Sequence, residues 1–180
     1  MSLITTIAIL GAVETNISFV AKRIAKQYRI LLFDKNATKL AEIHNQLLAS
    51  NPFANIEKMN CATDASCEAD IIIFSATYCL DSSIIEKIKQ VSTGKIVIII
   101  GEQSNTALAP IDYLTLQQLL KHVKLIQVGS TINNTKTDLE NKLTIKGNDK
   151  VAIETVSFLF TSVGFTTQHI LTSISLPQNQ

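Results

Sequence analysis

A chain of 180 residues with 46% hydrophobic composition and three prolines is long enough to bury one core and short for two. Its 16 basic residues balance 15 acidic ones and aromatics make up 6%, so it lacks the basic field and stacking surface that nucleic-acid binding needs. No basic segment opens the chain and its first apolar run stops at Gly11, a pattern that predicts neither a signal peptide nor a membrane span, and a cytoplasmic protein.

The first apolar run, Ile7 to Leu10, reads as a strand. After Gly11 a helix carries Ile17, Val20, Ala21, Ile24 and Ala25 on one stripe, and Ile30 to Phe33 form a second strand closed by Asp34. This is the opening βαβ unit of a dinucleotide-binding sheet. Asn36 is a natural cap for a second helix, in which Ala37, Leu40, Ala41, His44, Leu47 and Leu48 recur at helical spacing until Pro52 ends it. His44 reads as a packed or edge residue, since no other ligand type is spaced to join it. Cys61, Cys67 and Cys79 are odd in number and lack CxxC spacing, so they read as free, mostly buried thiols.

A short strand is expected around Ile56 to Met59, and Ile71 to Ala76 form a continuous apolar run of the kind that a parallel strand covered on both faces requires. Asp81 or Ser82 caps a helix carrying Ile84, Ile85, Ile88 and Val91, with Gly94 as its stop before the strand Lys95 to Ile100. A shorter helix around Leu116 to Leu120 precedes the strand Val123 to Val128, and a polar segment runs from Gly129 to about Asn141. Leu143 to Lys146 alternate like a strand with one wet face. Asn148 or Asp149 then caps a helix bearing Val151, Ala152, Val156, Leu159, Phe160 and Val163 and stopped by Gly164. Thr166 to Leu171 complete the strands, residues 1–174 are expected to form one domain, and residues 175–180 a frayed tail.

Strands alternating with helices predict an α/β fold: a doubly wound, mainly parallel, three-layer αβα sheet of Rossmann type. Its central order is 3-2-1-4-5-6, with the last strands added at one edge. Ligands of such sheets sit beyond the carboxyl ends of the strands, so the candidate site comprises the loops beginning at Gly11, Asp34, Ser75 and Gly101. The GxGxxG fingerprint keeps only its first glycine in Gly11-Ala12-Val13-Glu14-Thr15-Asn16. Val13 brings a β-branched side chain to the position where phosphates come nearest. The Glu14 carboxylate suits a helix N-terminus and opposes an anion there: at about 5 Å and an effective dielectric near 20, the repulsion is roughly 3 kcal/mol per charge pair.

The order and spacing of DKNATK, EADIIIFSATY, GKIVIII, LKHVKLIQVGSTI and IKGNDKVAIETVSFLFTSVGF resemble the NADP oxidoreductases that use coenzyme F420, across nearly the whole chain. Members of that family typically show a glycine-rich loop, a serine-arginine pair before NPEK, an ADVVILAVPY strand end, a KIVID strand and an AGDD helix start. Related domains form the cytoplasmic NADPH-binding front of six-transmembrane metalloreductases. The resemblance implies a pyrophosphate on the turn Gly11, Ala12, Val13, Glu14, Thr15 and Asn16, and an adenosine ribose beside Asp34, Lys35 and Asn36. It implies the nicotinamide half near Ser75, Ala76, Thr77 and Tyr78, with Gly101 opposite. Val13 and Asn16 stand where the family has glycines, Asp34 replaces a small hydroxyl residue, and the segment after Gly101 does not repeat the family's loop. An acid at the end of the second strand favours NAD through the ribose hydroxyl, while an inward Lys35 favours the 2′-phosphate of NADP; both cofactors stay open.

Hydride transfer needs positioning more than a protein nucleophile, and no catalytic residue stands out. Tyr78 reads equally as a ring partner of a ligand or as a packing residue. His122 and His169 have no flanking motif. Two functions follow: an NAD(P)-dependent oxidoreductase with an unidentified acceptor, flavin-like by analogy with the family, or a redox-inactive Rossmann-fold binding or regulatory protein that has lost tight dinucleotide binding. A homodimer is expected, because an apolar chain without a separate substrate domain needs another surface to close its cleft.

Overall fold

The computed structural model describes residues 5–75, 78, 81–102, 113–130 and 142–171. They form β1 (Thr6–Leu10), α1 (Thr15–Ile24), β2 (Arg29–Phe33), α2 (Ala37–Ser50), β3 (Ile56–Lys58), α3 (Ala62–Glu68) and β4 (Ile71–Ser75). Then come α4 (Ser82–Lys89), β5 (Ile96–Glu102), α5 (Tyr113–Leu119), β6 (Lys124–Ser130), β7 (Lys142–Gly147), α6 (Lys150–Ser162) and β8 (Thr166–Leu171). One sheet takes the order β3-β2-β1-β4-β5-β6-β7-β8. All neighbours are parallel except β6 and β7. The expected 3-2-1-4-5-6 order and the added edge strands are therefore present.

Side chains alternate across the sheet because successive Cβ atoms of a strand point to opposite faces. Ile7, Ile9, Ile30, Leu32, Ile71 and Ile73 join α1, α2 and α6 in one apolar layer. Ala8, Leu10, Leu31, Ile72, Phe74 and Val97 join α3, α4 and α5 in the other. Every residue of β1 and β4 is buried, which is why both read as uninterrupted apolar runs.

The local signals hold at three helix starts. Asn36 Oδ1 accepts from Lys39 N–H at 3.0 Å, Asp81 Oδ1 from Ser83 N–H at 3.0 Å, and Asp149 Oδ1 from Ala152 N–H at 2.8 Å. Asp149→Ala is expected to remove about 1 kcal/mol of stability, the usual worth of such a cap. That is a melting-point drop of roughly 2–4 °C for a chain of this size. The exposed Lys124–Asp149 pair at 3.8 Å adds little, so an unchanged melting point would show that the cap does not hold α6.

Four expectations are corrected. Helix α3 was not anticipated: its buried face is made of Ala62, Ala65 and Ser66, side chains too small to give an apolar rhythm, yet small enough to let the helix lie close on β1. Lys95 reinforces α3 by donating Nζ to the Ser66 and Cys67 carbonyls, both at 2.7 Å, a cation at a helix C-terminus. The cysteines are not buried thiols, since Cys61 at the start of α3 is half-buried and Cys67 near its end is exposed. Cys79 lies outside the described residues. Val151, placed on the apolar stripe of α6, is 63% exposed, and α4 ends at Lys89, before Val91. Residues 131–141 and the tail also lie outside the described residues.

Candidate functional site

In this order β1 and β4 are neighbours whose connections leave in opposite directions, the switch point of a doubly wound sheet. The residues at its carboxyl edge build the site.

Gly11 turns the chain out of β1 at φ +78°, a left-handed conformation that costs glycine little and other residues about 1–2 kcal/mol. Its N–H donates to the Phe33 carbonyl at 3.0 Å, followed by Ala12 N–H to the same oxygen at 3.3 Å; Glu14 N–H returns to the Gly11 carbonyl at 3.2 Å. Val13 N–H donates to Asp34 Oδ2 at 3.1 Å. Four consecutive amides of the turn thus have partners within the chain. Glu14 occupies the N-cap of α1 without a side-chain cap bond. Thr15 and Asn16, expected in the turn, instead open the helix.

The other Asp34 oxygen, Oδ1, accepts from Asn36 N–H at 2.9 Å. Two amides from different segments therefore fix the carboxylate at the end of β2. A carboxylate has about four acceptor positions, so it retains capacity for ribose hydroxyls. Lys35 points elsewhere: its Nζ pairs with Asp81, the N-cap of α4.

Tyr78, expected beside the nicotinamide half, lies across Gly11 and reaches the backbone that follows β2. Its backbone N–H donates to Ser75 Oγ at 3.0 Å, and its phenol oxygen accepts from Lys35 N–H at 2.8 Å. Between these anchors the ring rests on Gly11. A Cβ on Gly11 would stand 2.8 Å from Tyr78 Cδ2 and 3.0 Å from Cγ. Sequence reasoning located Tyr78 but not its destination, because the contact joins residues 67 positions apart. Ser75, 3% exposed, ends β4. Gly101 still belongs to β5 and pairs with Gly129 of β6, so the loop expected to begin there starts later. Ala76 and Thr77 lie outside the described residues.

The phenol of Tyr78 is pushed up to about 12, foremost by burial; Asp34 and Glu14 raise it further, while the Lys35 N–H bond pulls it down. A raised value means that the folded protein keeps the proton longer than the unfolded chain. The stabilisation it contributes is complete below pH 10 and is lost as pH rises through about 12. Ultraviolet titration of wild type minus Tyr78→Phe should show one phenol ionising near pH 12. Ionisation near the ordinary value would show an exposed ring.

Charge around the site is mainly negative, from Glu14, Asp34 and Asp81, with Lys35 already engaged. An open recess of about 600 Å³ lies at the amino edge of the sheet. Its charged groups also have partners: Asp70 accepts from Thr6 N–H at 2.8 Å, Lys95 holds α3, and Lys124 faces Asp149. Among the described residues no group of three or more His, Cys, Asp or Glu could hold a metal ion, and no helix is long and apolar enough to cross a membrane.

No protein-family model and no curated protein matches the chain. Solved structures match its fold. An uncharacterised protein of Sinorhizobium meliloti is 20% identical with a TM-score of 0.67, the match covering 95% of this chain and 86% of the other. A candidate F420-dependent NADP reductase of Arthrobacter sp. FB24 is 19% identical with a TM-score of 0.68, over 91% and 83% of the two chains. An imine reductase of Myxococcus stipitatus in complex with NADP+ is 15% identical with a TM-score of 0.66; the match covers 92% of this chain and 54% of the reductase. The chain thus spans about half the length of that enzyme. Strand order and these likenesses define an α/β Rossmann-type fold.

Proposed function

We propose that this chain is an oxidoreductase domain that binds a nicotinamide dinucleotide along the carboxyl edge of β1, β2 and β4, with NAD preferred over NADP. The observation that carries the reading is Asp34, whose carboxylate is held by the Val13 and Asn36 amides beside the Gly11 turn. An acid at the end of the second strand accepts hydrogen bonds from the adenosine ribose and repels a 2′-phosphate. Pairing of Lys35 with Asp81 engages the lysine that follows Asp34 in the chain and could otherwise offset that repulsion. The fold shared with NADP-bound and reductase-type neighbours supports the same ligand class.

When bound, the nicotinamide supplies the hydride. The chain's own part is to orient: Asp34 fixes the ribose, Gly11 permits close backbone approach, and the first turn of α1 offers its dipole to phosphate. The acceptor is a small flavin-like molecule in this reading, by resemblance to the family. Asp34→Ser should weaken NAD and improve NADP binding by about 1–2 kcal/mol relative to each other, the scale of a charged hydrogen bond or a relieved repulsion. Calorimetric titration with both cofactors measures this, and an unchanged preference would remove Asp34 from the ribose.

A second reading, a redox-inactive binding or regulatory domain, is favoured by one observation: the turn amides and the space over Gly11 are taken by the chain itself. Val13→Gly with Glu14→Gly separates the two. Saturating NAD at 100 times its dissociation constant stabilises a binder by about 2.7 kcal/mol. That melting shift in wild type supports the oxidoreductase, whereas a shift confined to the double variant supports the regulatory domain.

The reading includes a cytoplasmic homodimer. Support for the dimer is β8, an edge strand among the described residues, carrying no Asp, Glu, Lys, Arg or Pro, with Ile170 39% and Leu171 61% exposed. Uncharged edges are those that pair with a second strand. A monomer mass by light scattering at micromolar concentration would remove the dimer.

A further inference from the structure

We infer that the Tyr78 side chain is a displaceable stopper that occupies the adenosine end of the dinucleotide site and must leave before the cofactor can bind. This rests on the nicotinamide-dinucleotide reading above.

Three elements define where the adenosine ribose would lie: the Gly11 turn, the Asp34 carboxylate and the backbone that follows β2. Tyr78 touches two of them directly. Its ring lies so close to Gly11 that even a methyl group there would stand 2.8 Å from it, and its oxygen takes the Lys35 N–H at 2.8 Å. No ribose can approach Gly11 while the ring is there. The phenol is half-buried and its bond to Lys35 is a single neutral one, a contact of the kind whose net worth is modest. Asp81, three positions after Tyr78, secures the arrangement a second time, since its N–H donates to the Tyr78 carbonyl at 3.2 Å while its carboxylate pairs with Lys35 Nζ. Backbone and side chain of Lys35 thus hold Tyr78 and Asp81 respectively, across the switch point between β1 and β4. Ring, hydroxyl and ion pair shut one end of the site; they leave the Asp34 carboxylate in place for a ribose.

A protein whose competent state is a fraction f of the population binds with its intrinsic dissociation constant divided by f. If the stopper is in place about 90–99% of the time, its removal tightens binding about 10- to 100-fold. The gain belongs to the association rate, because the bound state is unaffected.

Stopped-flow fluorescence with NADH as the probe tests this on wild type, Tyr78→Ala and Tyr78→Phe. The phenylalanine variant keeps the ring and its packing and loses only the bond to Lys35. Tyr78→Ala should associate at least tenfold faster with an unchanged dissociation rate, and Tyr78→Phe should fall between it and wild type. Exchange of the Lys35 amide proton, followed without ligand, should quicken in both variants. Equal affinity in all three proteins, or weaker binding of Tyr78→Ala through faster dissociation, overturns the stopper and leaves the dinucleotide reading intact. Absence of NADH binding by all three at millimolar concentration, with the Lys35 amide exchanging faster in the variants, overturns the dinucleotide reading and the stopper with it.

Discussion

Gly11→Ala is expected to cost about 2–5 kcal/mol, from two sources that can be separated. An L-residue at φ +78° loses about 1–2 kcal/mol to the left-handed backbone. The added Cβ would meet Tyr78 Cδ2 at 2.8 Å and Cγ at 3.0 Å, and Cγ lies too near the backbone to swing away freely, so overpacking adds roughly 1–3 kcal/mol. In a Tyr78→Ala background only the backbone part should remain. Urea unfolding of the two single variants and the double variant gives the coupling directly, expected at about 1–3 kcal/mol. Additive losses would show that the ring does not rest on Gly11, and would remove the physical basis of the stopper.

The other large effect lies beneath the site. Phe74→Ala should destabilise by about 3–5 kcal/mol, the usual loss for a buried phenylalanine once transfer and cavity terms are both counted. Phe74 is fully buried, opposite Leu10 on β1 and Ile99 on β5, in the layer covered by α3, α4 and α5. Parallel strands enclosed on both faces leave no route for water to fill the void, and their neighbours can collapse only by bending the sheet. Phe74→Leu keeps most of the volume and should recover most of the loss. Calorimetry would register Phe74→Ala as a melting-point fall of roughly 6–20 °C; a loss below about 1 kcal/mol would mean that the sheet is not closed over this residue.

The fold was legible in the sequence wherever the deciding interaction was local or strongly apolar. Ile7 to Leu10 and Ile71 to Phe74 could be buried strands and little else, and the Asn36 and Asp149 caps bond to amides only three residues away. The alternation of such runs with helices then limited the topology to a doubly wound sheet. Helix α3 escaped because Ala62, Ala65 and Ser66 carry too little apolar surface to mark a face, and the half-buried Cys61 and exposed Cys67 escaped because their place at the ends of α3 follows from that helix.

At the site, sequence alone determined the composition: one glycine where three were expected, an acid closing β2, and a tyrosine after β4. Tertiary structure decided what those residues do to one another. Asp34 reaches the Val13 amide 21 residues away, and Tyr78 reaches Lys35 over 43. Such contacts arise because β1 lies between β2 and β4, which brings three separate turns to one edge of the sheet. No pattern within any of those turns encodes which partner a carboxylate or a phenol will choose; that choice depends on the few ångströms separating backbone amides and rings once the strands are in register.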